Sequence, residues 1–527
     1  MKTGDTPGFN FSDLLALVAM EVPDRPAVIC GEERVSYREL ALRIEHLARF
    51  LEGQGLRAGD TLALHLPNRI EYLVGFFAAC RLGVLPFNVN YRYVESELDY
   101  LYGNARAAAT LVDAAFLPRL ALLPSRPALI VVVGDDRPDF AEALAEGAKR
   151  PPPAHAASGE DRLIIYTGGT TGMPKGVVWT HHDMLRAALG GGGFFSRKGP
   201  ITTPAEIVDR VRESPALVTF PVAPLMHGAA LWAALSSLLA GHTLVLQAGG
   251  GFDPVQVLDL CERERVNILV IVGDGMGRPL ADALMASPGR WHLEALMHVG
   301  SGGAVFSQAV QQSLKASLPR LVTASSLGST EAGTLGAGAA DGEGLMRFPP
   351  RPDIHVVADG QRLAAPGETG VLARSGPMPL GYFGDPVRTA STFVEIEGQR
   401  LSLTGDVARL ETDGSVTVLG RGSSCINTGG EKVFPEEVEQ ALKSHAAVLD
   451  ALVVGLPDPR WGERVVAVVA LREGVEVTVE ALQEHCRHHV AGYKLPRAIV
   501  FAPEVARSNT GKPDYAWAKE TAIVAGA

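Results

Sequence analysis

At 527 residues, with 46% hydrophobic and 20% charged side chains, the chain is too long for one ordinary domain and reads as globular. Its formal charge of −11, without any block of like charge, argues against a surface for nucleic acid or anionic membrane. The five scattered cysteines (Cys30, Cys80, Cys261, Cys425, Cys486) lack C-x-x-C spacing, which argues against a disulfide framework or zinc site and fits a reducing cytoplasm.

From Asn10 to about Arg150, short apolar runs alternate with helical patterns. Leu14–Met20, closed in by Asp13 and Glu21, reads as the core face of a first helix capped from Ser12 or Asp13, not as a signal peptide. Ala27–Cys30, Thr61–Leu66 and Leu129–Val133 read as strands, Tyr37–Leu51 as an amphipathic helix and Asn68–Gly83 as a buried segment. Pro151–Pro153 and His155 form a linker. From Leu163 to about Arg320, strands at Leu217–Phe220, Thr243–Gln247, Asn267–Val272 and Ala295–Val299 alternate with helices at Ala230–Ala240, Pro254–Arg265 and Phe306–Ser317. That alternation predicts parallel sheets covered on both faces, with ligands beyond the carboxyl ends of the strands. Shorter, turn-rich strands follow at Gly370–Arg374, Asp406–Leu410 and Ser415–Leu419. After Gly422 a compact mixed segment holds helices at Pro435–Lys443 and Val477–His488 and strands at Ala451–Val454 and Val465–Leu471. No stretch approaches the length of a membrane span.

The chemistry concentrates first in YTGGTTGMPKGV, Tyr166–Val177. Glycines let backbone amides approach an anion, and threonine hydroxyls and a lysine add donors, so the stretch suits phosphate. It is not a Walker A loop, because Lys175 lies between Pro174 and Gly176 rather than ahead of Ser or Thr at a helix start. SGGAVF (Ser301–Phe306) offers bare glycines against which a flat ring can lie and reads as opening a helix; a close packing turn has the same wording. LGSTEAG (Leu327–Gly333) sets one carboxylate among small residues, which suits Mg2+ shared with phosphate oxygens. In LTGDVARLETDGSVTVLGR (Leu403–Arg421), Asp406 suits two ribose hydroxyls, Arg421 suits ribose or phosphate, and Asp413-Gly414 reads as a hairpin turn.

Together these stretches resemble the adenylate-forming superfamily of acyl-CoA synthetases, luciferases and peptide-synthetase adenylation domains, in order and spacing, from Asn10 to Ala518. The usual signature reads YTSGTTGxPKGV; here Gly168 replaces the serine, removing one hydroxyl but no backbone donor. The resemblance implies an α/β fold. A large N-terminal domain (1–421) would have stacked mixed and parallel sheets, flanking helices and a small β-barrel-like part. A small mobile α+β lid (422–527) would follow. It implies ATP or AMP binding by Thr167, Gly168, Gly169, Thr170, Thr171, Gly172 and Lys175, by Ser301, Gly302, Gly303 and Ala304 on the adenine side, and by Leu327, Gly328, Ser329, Thr330, Asp406, Arg421 and Lys512. Leu327 stands where the family has an aromatic. Catalysis would fall to Lys512, in RSNTGKPDY (Arg507–Tyr515), with Thr170, the Mg2+ ligand Glu331, and His227 of PLMHGAA at the carboxylate end of the acyl pocket. Ser423 would be the hinge, and Gly429, Gly430, Glu431 and Lys432 would meet CoA. His181 and His182 carry no assigned role.

FNVNYRYVESEL (Phe87–Leu98), IVGDGMGRPL (Ile271–Leu280) and CINTGGEKVFPEEVE are similar to the branch that activates sterol side-chain and other bulky or long acids. The acyl pocket would draw on His227, Gly228, Gly273, Asp274, Met276 and Gly302, with Gly190–Gly193, Phe194, Phe195 and Gly275 nearby. The expected substrates are a small carboxylic acid, ATP and CoA, with no nucleic-acid partner; oligomeric state, a homodimer included, is not readable. Medium- or long-chain fatty acids and aryl acids are the alternative substrates. A stand-alone adenylation domain, for which Asp274 would grip an α-amine, and a luciferase-like enzyme are the rival activities. A peptide-synthetase domain would pass its product to a carrier domain, and the sequence given stops shortly after Lys512.

Overall fold

The computed structural model describes residues 9–134, 139–169, 172–192, 198–249, 251–340, 345–428, 431–458, 462–490, 492–507 and 512–527. Capping side chains start several of its helices. Ser36 accepts from the Glu39 amide ahead of Tyr37–Gly53, Thr180 from Asp183 ahead of His181–Ala187, and Asp253 from Val255 ahead of Pro254–Arg263. The first helix, Phe11–Glu21, is capped by Asn10 rather than by Ser12 or Asp13. The Asn10 side chain accepts the Ser12 amide proton, while its Nδ2 donates to the Cys80 carbonyl and to Asp161. A tertiary tie therefore chose the cap.

Two sheets hold most of the chain. In the longer, parallel strands run in the order Val322–Ser329, His298–Gly302, Ile268–Ile271, Val218–Pro221, Thr243–Leu246 and Pro26–Cys30. The turn-rich strands continue this sheet as an antiparallel wing, joined through Gly333–Ala340 and Met346–Phe348 to Val416–Arg421. The second sheet orders Gly381–Tyr382, Gly172–Thr180, Arg162–Gly169, Leu85–Asn88, Thr61–His65, Ala109–Asp113 and Leu129–Val133. It is parallel from Arg162–Gly169 onward, and its first two strands are antiparallel additions. The helix Ile70–Leu82 is buried almost all round and shares one apolar core with Phe11–Glu21, Tyr37–Gly53 and Gly228–Leu239. The residues after Gly422 form a separate five-stranded sheet around Val448–Asp458 and Gly462–Leu471, with apolar cores of their own. Among the described residues no helix is long and apolar enough to cross a membrane.

Most strands shifted little from the sequence reading; Ala295–Val299 became His298–Gly302, Asp406–Leu410 extends back to Gln399, and Ala451–Val454 lengthens to Val448–Asp458. Several helices went unnamed in it, Glu95–Ala105, Asp139–Gly147 and Tyr515–Val524 among them, and two have a local reason. Glu206–Glu213 is short and mostly charged, and Gly273–Ala286 begins in glycines and contains Pro279. His181 is structural: its ring stacks on Phe11 at 4.7 Å and its Nδ1 accepts the Phe11 amide proton.

Where the two sheets approach, Arg374 is buried and Nη1 donates to three carbonyls, those of Ala187, Ala332 and Thr334, while Nη2 lies 3.4 Å from Asp353. One cation thus fixes the end of His181–Ala187 against the turn around Glu331. Arg374→Met should strand those carbonyls and destabilise by on the order of 3 kcal/mol. A clearly lower thermal unfolding midpoint checks this, with the exposed Arg212–Glu21 pair as a control whose loss moves it little.

Candidate active site

The glycine- and threonine-rich signature is a β-hairpin, not an open loop between a strand and a helix. Arg162–Gly169 and Gly172–Thr180 pair antiparallel, with Thr167 opposite Lys175. Thr170 and Thr171 lie outside the described residues, and only the backbone is described for Gly168, Gly169 and Gly172. Gly176 has a local reason: a Cβ there would meet the Tyr166 ring at 2.8 Å. That ring's hydroxyl donates to Asn104.

Asn88, which the sequence reading passed over, ties this hairpin to the next loop. Its Oδ1 accepts the Tyr166 amide proton at 2.7 Å, and Nδ2 donates to the carbonyls of Tyr166 (2.8 Å) and Met226 (2.6 Å). Met226 precedes His227, the cap residue of Gly228–Leu239. The imidazole is buried and its Nε2 has no hydrogen-bond partner. Burial, and then the nearby charges of Lys512 and Arg92, lower its pKa to about 4, so it is neutral at pH 7. The charge of Lys512, far away in sequence, thus acts on His227. A Cβ on Gly228 would lie 3.8 Å from Thr330 Oγ1, which brings the LGSTEAG turn to the same place.

That turn is also a hairpin, Val322–Ser329 against Gly333–Ala340, with Thr330, Glu331 and Ala332 between the strands. Leu327, Gly328 and Ser329 belong to its first strand. Trp179 Nε1 donates to the Thr330 carbonyl at 3.0 Å, and Ser402 Oγ donates to the Glu331 carbonyl at 2.7 Å. The Tyr382 hydroxyl donates to Glu331 Oε1 at 2.9 Å. Tyr382 also sits beside the signature strand, pairing with Val177, and Lys175 Nζ lies 5.7 Å from its ring centroid. Burial and the Glu331 charge push the Tyr382 phenol up, so it remains a donor. Sequence reading also missed Tyr382; the Gly-Tyr pair in GYFGDP was its only signal.

In SGGAVF, expected on the adenine side, Ser301 and Gly302 end the strand His298–Gly302, whereas the following helix starts only at Gln308, capped by Ser307. The expectation that SGGAVF opens a helix is corrected: Gly303 and Ala304 lie in an intervening loop. Ser301 Oγ accepts the Gly273 amide proton at 2.8 Å. A Cβ on Gly302 would lie 3.7 Å from the Ser326 carbonyl. Asp406 is buried and stands directly opposite Arg421 across the strand pair. Gly414 turns that hairpin at φ +81°.

Three residues expected in the acyl pocket have identifiable packing partners. Gly273 packs against the adenine-side loop, where a Cβ would meet the Val305 carbonyl at 2.6 Å. Met276 belongs to the apolar core around Ile271, Leu280 and Phe306. Asp274 Oδ1 accepts the Ser307 amide proton, and its other oxygen, which has no hydrogen-bond partner, faces Lys443 at 3.9 Å. Gly190–Gly192 forms a short turn in which Gly191 packs on Pro200; Gly193, Phe194 and Phe195 lie outside the described residues. So do Gly429 and Gly430, and for Arg421, Ser423, Glu431 and Lys432 only the backbone is described. Ser423 lies in the short turn Gly422–Ser424 between the wing and the C-terminal sheet.

Tyr382→Phe keeps the ring near Lys175 but removes the donor to Glu331. It should raise the Mg2+ concentration for half-maximal ATP-dependent activity about fivefold, the worth of one hydrogen bond, with an unchanged unfolding midpoint. An unaltered Mg2+ titration would show that the hydroxyl does not orient the carboxylate.

The description AMP-binding enzyme fits residues 15–383 by comparison with protein-family models, and AMP-binding enzyme C-terminal domain fits residues 437–512. The chain is 40% identical to a 3-oxocholest-4-en-26-oate–CoA ligase of Rhodococcus rhodochrous, over 97% of this chain and 95% of that one. It is equally 40% identical to the medium-chain acyl-CoA ligase Mig of Mycobacterium avium, over 98% and 99%. The fold matches an anthranilate CoA ligase crystallised with anthranoyl-AMP, at a TM-score of 0.82 and 23% identity over 100% and 99% of the two chains. The chain belongs to the AMP-binding enzyme family, within its adenylate-forming acyl-CoA ligases.

Proposed function

We propose that the chain joins a bulky hydrophobic carboxylic acid, of the steroid side-chain class, to CoA in two steps at this site. The observation that carries the reading is the convergence of the signature hairpin, Glu331, His227 and Lys512 in a chain similar over its length to a ligase named for such an acid.

In the first step a carboxylate oxygen attacks the α-phosphorus of ATP and pyrophosphate leaves. Lys512 neutralises the charge that gathers on the α-phosphate and the incoming carboxylate. Thr167, Lys175 and the hairpin backbone, with Thr170 and Thr171, hold the phosphates; Ser301 to Ala304 and Leu327 flank the adenine; Asp406 and Arg421 hold the ribose. His227, neutral at pH 7, closes the carboxylate end of the acyl site without competing as a cation. Among the described residues no cluster of three or more His, Cys, Asp or Glu gathers to hold a metal. One carboxylate, Glu331, with phosphate oxygens is a donor set that suits Mg2+, which would supply charge neutralisation at the phosphates. In the second step residues after Ser423 turn, withdrawing Lys512 and presenting Gly429, Gly430, Glu431 and Lys432 to CoA. The thiolate attacks the acyl carbon, a thioester forms and AMP leaves. The five cysteines, all free, fit a reducing cytoplasm.

The second reading, a medium- or long-chain fatty acid, is favoured by the equal likeness to the medium-chain ligase. AMP release from Mg-ATP and CoA across steroid acids, straight-chain acids and aryl acids decides between them. Turnover strongest with a steroid acid is the expected outcome; a preference for straight chains would overturn the steroid class and keep the ligase. Lys512→Ala should cut adenylate formation by on the order of a hundredfold or more yet spare thioester formation from synthetic acyl-adenylate. Equal loss in both steps would mean that the lysine serves folding rather than charge neutralisation.

A further inference from the structure

The helix Gly273–Ala286 presents Asp274, Arg278 and Asp282 at four-residue spacing, hence on one face. Each meets charge from residues after Gly422. Asp274 faces Lys443 at 3.9 Å, and these side chains are 5% and 2% exposed. Asp282 lies 3.9 Å from Arg472. Arg278 is buried, with Nε and Nη2 lacking hydrogen-bond partners, between Asp274, Asp282 and Asp450 on the one hand and Arg472 on the other.

Both ends of this contact lead into the site. Asp274 holds the adenine-side loop through the Ser307 amide, and the neighbouring Gly273 amide is held by Ser301. On the other side, Lys443 shares its surroundings with Glu439 and Asp450. Asp450 grips Arg507 through two bonds, at 2.7 and 2.8 Å. Arg507 pairs with Pro513 across the base of the loop that carries Lys512. Polar contacts therefore lead from Ser301 to Lys443, and the Lys443 charge acts in turn on Asp450, which holds the stem of the Lys512 loop.

We propose that Asp274 and Lys443, flanked by Asp282–Arg472 and Asp450–Arg507, form a charged seam that docks the C-terminal segment over the site and positions Lys512 for adenylate formation. The proposal rests on the two-step ligase reading. Asp274 and Lys443 are positioning residues: they touch neither substrate nor nucleotide and act through the loop stem. The seam opens when the segment turns for the second step, so its loss burdens the first step alone.

The test uses the full chain with Asp274→Asn, Lys443→Met and the exchanged pair Asp274→Lys with Lys443→Asp. Adenylate formation is read by acid-dependent exchange of pyrophosphate into ATP, and the second step from synthetic acyl-adenylate and CoA. Amide hydrogen exchange of Gly273–Ala286 and Pro435–Lys443, measured without substrates, reports docking directly. Each single variant should slow adenylate formation by on the order of tenfold or more, leave the second step at the wild-type rate, and speed exchange in both helices. The exchanged pair should recover part of the loss. Unchanged exchange in the variants overturns the seam, and equal slowing of both steps overturns the positioning role. If a single variant does not fold, Arg472→Gln, at the more exposed pair, replaces it with the same expectations at smaller amplitude. A wild-type chain that makes no acyl-CoA from any acid would sink the ligase reading and the positioning role together; the exchange data then still decide whether the helices dock.

Discussion

One buried amide, that of Asn88, sets the relation on which the site depends. A parallel sheet can aim its loops at a common region, but it does not fix how far apart those loops stand. Asn88 does so by bonding both backbone groups of Tyr166 and the carbonyl of Met226, so the signature hairpin and the His227 loop move as one piece. The remaining loops are tied by the same device, a side chain bonded to the backbone of the next loop. Trp179 reaches Thr330, Ser402 reaches Glu331, and Arg374 reaches Ala332 and Thr334. Each tie satisfies a polar group that burial would otherwise penalise, so the bonds that place the catalytic groups also keep the closed arrangement stable.

This division explains what was legible in the sequence. Strands such as Leu129–Val133 and helices such as Pro435–Lys443 declare themselves through local periodicity and capping, and they stand close to where the residues alone put them. Lys175, Glu331, Asp406 and Lys512 stood out in the sequence through the wording of their loops, on the reading that a nucleotide demands particular groups at particular loop positions. The ties were not. Asn88 ends an apolar strand and Tyr382 sits in a turn-rich stretch; neither carries a local sign that its partners lie 78 and 51 residues away. The signature itself read as a loop because its glycines and Pro174 lower strand propensity, yet cross-strand pairing with Ile164 and Ile165 makes it a hairpin.

Asp274 shows the same limit from the other side. A carboxylate at the start of a glycine-rich stretch resembles a ligand group, and only the fold shows it committed to Ser307 and Lys443. The helix that carries it escaped prediction because Gly273, Gly275, Gly277 and Pro279 all depress helix propensity. Packing compensates, since Gly277 would clash with Phe306 and Val310 if it carried a Cβ, so the glycine lets two helices close on one another.

The chemical character of the seam suits a segment that must leave as well as arrive. An apolar interface of the same extent would gain from burial and resist opening, because nothing in water repays exposed hydrocarbon. Buried ion pairs behave differently: the Coulomb attraction gained on docking is offset by the cost of taking both charges out of water, and that cost is returned on undocking. The seam therefore specifies one docked geometry without making it deep, with the register set by alternating signs at Asp274, Arg278 and Asp282. Arg374 is the contrasting case, a buried cation whose carbonyl partners all lie within the sheets and their loops, where no motion has to break them. Nη1 of Arg374 bonds three carbonyls, whereas Asp274–Lys443 and Asp282–Arg472, at the proposed boundary, are paired at the longer separation of 3.9 Å. On the proposed two-step reading, that difference would let one chain be rigid around the nucleotide and reversible around Lys512.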